Sequence, residues 1–149
     1  MVYPEYEKTK SRFYDSQRRF AQLLMEKERI FANTLPCGIR YDKDVVQSSP
    51  TVPLETYVAD LEEIEKKLSQ VRDSVKDWEI LLSVKERELR ESKEIPDKVY
   101  VMRYLDKMSV NKVSNNLSYS KRQIFRILNK IEKNINMAHN VTLLSQKMW

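Results

Sequence analysis

The chain is poor in the residues that most catalytic and metal chemistry requires. Its 149 residues include one cysteine, Cys37, and one histidine, His139. A lone cysteine excludes an intramolecular disulfide and suits a reducing cytoplasm. One Cys and one His cannot build a His/Cys metal cluster within a single chain. Gly38 is the sole glycine, so no phosphate-binding Gly-rich loop can be written. That scarcity also disfavours sheets, whose turns and bulges draw on glycine, and points to an all-α protein. There is no apolar run of signal-peptide length at the start and no stretch of about 18 apolar residues able to span a bilayer. The expectation is a soluble cytoplasmic protein with no membrane partner, no metal, no cofactor and no enzymatic activity. Glu62, Glu63 and Glu65 fall on the flank of a long charged helix and are expected to solvate it.

What the chain does have is charge, at 33% of residues with a net charge of +5. From Pro96 onward ten Lys or Arg face only Asp97, Asp106 and Glu132. Positive charge is therefore concentrated in the last third, as expected of a segment that meets phosphate.

The periodicity predicts two long helices ahead of that segment. Over about 5–33, Tyr6, Phe13, Phe20, Leu24 and Phe31 form one stripe, with Leu23 and Ile30 beside it. Pro36, Pro50 and Pro53 make 34–53 a connector, long for a compact protein. From about 54 to 93, Leu54, Tyr57, Leu61, Ile64, Leu68, Val71, Val75, Trp78 and Leu82 follow steps of three and four. After a missed position at Lys85 the pattern resumes at Leu89. This is a heptad seam, expected to be coiled coil. Leu61, Ile64, Leu68, Val71, Val75, Trp78 and Leu82 are its candidate oligomerisation residues. The partner is either the first helix of the same chain or a second copy. The greater length of the seam favours a homodimer. Ile95-Pro96 ends the helix, dividing the chain into an N-terminal domain, 1–95, and a C-terminal domain, 96–149.

The C-terminal domain reads as helices over about 97–106, 109–117 and 120–136, with an apolar tail over 138–149. Ser109 and Ser120 stand where a hydroxyl caps a helix. Ile124, Ile127, Leu128 and Ile131 share one face, while Lys121, Arg122, Gln123 and Arg126 hold the other. Cationic and amide side chains at the start of the second helix of a pair suit the major groove. The pattern predicts a helix-turn-helix domain on double-stranded DNA. Ser120, Lys121, Arg122, Gln123 and Arg126 are its candidate DNA-binding residues, with Lys112 and Lys130 on the backbone.

Met102-Arg103-Tyr104-Leu105, Ser109-Val110-Asn111-Lys112-Val113-Ser114 and Leu117-Ser118-Tyr119-Ser120-Lys121-Arg122-Gln123-Ile124 together resemble sigma factor region 4. In particular they are similar to the phage late-transcription regulators of Gram-positive bacteria, the ArpU and RinA type. Tyr41 to Pro50, followed by a long charged helix, also looks like the linker of that group. The resemblance covers about 41–135. It implies a region 4-like fold, sequence-specific regulation of phage or prophage genes in a bacterial host cell, and host RNA polymerase as a further partner. The chain departs from the family at Ser114, where a small Ala is usual, at Ser118, where Gly is frequent, and at Lys112, where an acid is common. Two other functions fit the same pattern: a coiled-coil adaptor that binds protein, and a DNA-packaging component like a terminase small subunit.

Overall fold

The computed structural model describes residues 1–34 and 54–146. About 90% of them are helical and none is in a strand, so the fold is all-α. The elements in chain order are α1 (Tyr3–Thr34), α2 (Leu54–Glu91), α3 (Ile95–Tyr100), a π-helical turn (Val101–Leu105), α4 (Val110–Leu117) and α5 (Lys121–Gln146). The expected connector, beyond Thr34, and the last three residues of the apolar tail lie outside the described residues. The tail's earlier part, 138–146, continues α5 ten residues past the boundary at 136 that the sequence suggested.

The chain divides into two compact units, Tyr14–Asp77 and Met1–Phe13 with Trp78 onward. In the unit Tyr14–Asp77, α1 and α2 segments lie antiparallel. Arg72 sits over the Phe20 ring at 5.8 Å, Lys27 bonds Glu65 at 3.3 Å, and Phe31 meets Tyr57 edge-on. Ile64, Leu68 and Val71 are buried, and Tyr57, Leu61 and Val75 half-buried. The heptad periodicity is therefore real, but its central positions are already buried within the single chain. On α1 the buried line also differs from the expected stripe. Leu23, Lys27 and Ile30 are half-buried, while Leu24 and Phe31 are exposed. A straight helix drifts against a 3.5-residue repeat, so the packed line shifts by one position along its length.

The other unit combines the start of α1, the end of α2 and all later elements. Tyr3, Tyr6, Leu89, Val99, Tyr100, Val113, Ile124, Leu128 and Ile131 form its core. The domain boundary expected at 95/96 is thus not where the chain divides, because Tyr3, Tyr6 and Leu89 belong to the C-terminal core. Here too α1 and α2 run antiparallel, with Lys85 bonding Glu5 at 3.1 Å and Arg12 lying 5.4 Å over Trp78. Lys85, the missed heptad position, is half-buried and reaches Glu5 and Glu88. Tyr3 and Tyr104 both stack on Tyr100, at 5.5 and 5.0 Å, and Tyr6 meets it edge-on. The Tyr100 hydroxyl donates to Glu7. Asp97 is fully buried and accepts from the backbone N–H groups of Val2 and Tyr3 and from the Ser92 hydroxyl.

Pro96 lies in the first turn of α3, where its missing N–H costs nothing. At the far end the Asp106 N–H reaches back five residues to the Val101 carbonyl at 2.9 Å. The widened turn ends at Lys107, which is left-handed with φ 53°. Met108 N–H then bonds the Met102 carbonyl, and Arg103 donates to the Met108 carbonyl, fixing the link into α4.

Candidate nucleic-acid interface

α4 and α5 are joined by Ser118, Tyr119 and Ser120. The Ser109 hydroxyl accepts from the Lys112 N–H and caps α4. α4 ends at Ser118 in the left-handed region, φ 58° and ψ 32°. This is a position where glycine avoids a Cβ clash. Two bonds brace the turn: Tyr119 N–H to the Ser114 carbonyl at 3.2 Å, and the Ser114 hydroxyl to the Tyr119 carbonyl at 2.6 Å. A small side chain at 114 is therefore used as a brace, which an alanine could not supply.

Ser120 opens α5. Its hydroxyl accepts from Gln123 N–H at 3.3 Å, and Gln123 Oε1 accepts from Ser120 N–H at 3.0 Å. This is a reciprocal capping box. Ile124 N–H makes the first helical bond to the Ser120 carbonyl. Val113, Ile124, Leu128 and Ile131 bury the inner faces, with Leu117, Tyr119 and Ile127 packed around them.

Every candidate DNA-binding residue is exposed: Lys112 on α4, Ser120 at the turn, and Lys121, Arg122, Gln123, Arg126 and Lys130 on α5. They do not share one role. The Gln123 carbonyl oxygen is engaged in the cap, so it cannot also take part in bidentate recognition of a base without breaking that cap. Ser120 likewise fixes the helix start. Arg122 and Arg126 project from the side of α5 away from Ile124, Leu128 and Ile131, with Lys130 towards its edge, while Lys121 stands at the helix start on the flank nearer Leu128. No carboxylate among the described residues forms an ion pair with them.

Three further exposed residues were missed in the sequence. Asn129 and Lys133 continue the Arg122 face at i+7 and i+11, and Phe125 stands at i+3. Spacing from Arg122 alone would have found them.

The exposed side chains of this surface are cationic and amide groups. Among the described residues no group of three or more His, Cys, Asp or Glu could hold a metal ion. No described helix is long and apolar enough to cross a membrane. Compared with protein-family models, curated proteins and solved structures, the chain matches none of them.

Proposed function

We propose that the chain is a sequence-specific DNA-binding transcriptional regulator of phage or prophage genes, with α4 and α5 acting as a region 4-like helix-turn-helix. One observation carries it: Lys121, Arg122, Arg126, Lys130 and Lys133 stand exposed on α5, and none pairs with a carboxylate among the described residues. Cations left without acids at the capped end of a second helix suit phosphate and base edges together. In this mechanism the first half of α5 enters the major groove. Arg122 and Arg126 reach guanine edges, for which bidentate geometry suits them. Lys112, Lys121, Lys130 and Lys133 hold the phosphates, and Ser120 with Gln123 fixes the helix that carries them.

Host RNA polymerase in a bacterial cytoplasm is the further partner that the resemblance to the phage regulators suggests. A homodimer on DNA belongs to the same reading, with Ile64, Leu68 and Val71 buried within the single chain described. A protein-binding adaptor is the second reading, favoured by Phe125, which is 53% exposed on the same helix.

Gel shifts on restriction fragments of the phage's DNA, repeated across a salt series, test the regulator directly. Retention of one intergenic fragment is expected. Retention only at a packaging site would transfer the protein to DNA packaging, and no retention of any fragment at low salt would leave the adaptor.

A further inference from the structure

The outer face of the first half of α5 carries one residue that neither phosphate binding nor the core explains. Arg122, Phe125, Arg126 and Asn129 stand at i, i+3, i+4 and i+7, so they share a single helix face. All four are exposed, Phe125 by 53%. The half-buried residues packed on the core from this helix are Ile127 and Ile135, and Phe125 is not among them. Its ring is therefore exposed beside Arg122 and Arg126, neither of which pairs with a carboxylate among the described residues.

A phenyl ring gains nothing from a phosphate. Of the four bases, thymine alone presents an apolar group in the major groove, its 5-methyl. A face that sets an aromatic ring among two arginines and an amide is matched to a groove that sets that methyl among acceptors and donors. Gln123, the other candidate reader nearby, has its carbonyl oxygen in the capping box.

We infer that Phe125 is a specificity-determining residue that selects thymine by packing against its 5-methyl group. The inference rests on the DNA-binding reading of α5. Burying one methyl corresponds to about fourfold in affinity.

The test begins with duplexes selected from a random-sequence library by the full-length protein. Each thymine of the selected site is then replaced by uracil, which removes only the methyl group. Fluorescence anisotropy compares wild type, Phe125→Ala and Phe125→Leu on each duplex, with melting curves to establish that all three fold. For wild type, at least one replacement should weaken binding about fourfold. The same replacement should leave Phe125→Ala unchanged and should still weaken Phe125→Leu, whose side chain remains apolar. The inference is overturned if no thymine in the site shows methyl dependence, or if Phe125→Ala keeps the full dependence of wild type. Failure to select any duplex would overturn the DNA assignment itself. It is distinguishable because it appears before any base is modified.

Discussion

Both carboxylate oxygens of Asp97 lie 3.0 Å from the backbone nitrogen of Val2, 95 residues away in the chain. One of them also accepts from the Tyr3 N–H at 3.0 Å. These N–H groups stand at the start of α1, on the residue before it and on its first residue, and have no partner within the helix. A carboxylate borrowed from α3 satisfies them and complements the positive end of the helix. Ser92, donating to the same carboxylate at 2.7 Å, ties in the link that follows α2.

Asp97→Asn keeps the shape but removes the charge and sets an amide donor against backbone donors. The expected loss is about 2–3 kcal/mol, the scale of charge-assisted bonds left unmade in a buried place. Urea unfolding followed by circular dichroism measures it. An unchanged midpoint would show that α1 is not anchored through Asp97.

A second expectation concerns alkaline pH. Burial first, and then the Glu7 carboxylate, push the Tyr100 hydroxyl far above the ordinary phenol value. Tyr104 is raised in the same direction, by burial and then by Glu132. A raised folded pKa means that the folded protein holds a proton that the unfolded chain releases. The stabilisation is fully present below about pH 10, the ordinary tyrosine value, and is lost as pH rises above it. Stability should fall by about 1.4 kcal/mol per pH unit for a single such group. Tyr100→Phe should flatten that slope. A wild-type profile that is level from pH 9 to 11 would contradict it.

Much of this architecture was legible because the relevant forces are local. Ser109 and Ser120 cap the helices they precede, and the α2 heptads come out buried or half-buried from Tyr57 to Leu89, Lys85 included. What the sequence concealed was long-range. Nothing near Asp97 announces a partner 95 residues earlier, so an acid counted against the net charge is in fact a buried cap. The same blindness placed a domain boundary at 95/96, although Tyr3 and Tyr6 complete the core beyond it. Gln123 carries a second, local role, because S-x-x-Q is also a capping box and its carbonyl oxygen accepts from the Ser120 N–H.

Ser118 holds a left-handed conformation that costs a residue with a Cβ roughly 1 kcal/mol. Ser118→Gly should therefore stabilise the fold by about 0.5–1 kcal/mol, with the lost backbone freedom of glycine offsetting part of the gain. Ser118→Val should destabilise it. Thermal melting of both variants checks the sign, and a more stable valine variant would refute the turn geometry.

Arg122→Ala and Arg126→Ala should leave the melting temperature nearly unchanged, since exposed helix positions accept alanine well. Each should weaken binding to a selected duplex by about 1–3 kcal/mol and relax the base preference at one position. Anisotropy against the selected site and its single-base variants measures both effects. Equal affinity for all variants in wild type would remove these arginines from base reading.

The most direct test of α5 as the DNA-binding helix is the salt dependence of its affinity for duplex DNA. Anisotropy with one labelled duplex, repeated across a salt series, should give log affinity falling linearly with log salt for wild type. Lys121→Ala combined with Lys130→Ala should flatten that slope by about 2, one for each phosphate contact removed, with melting unchanged. No binding at low salt, or the same slope for wild type and the double variant, would contradict the assignment.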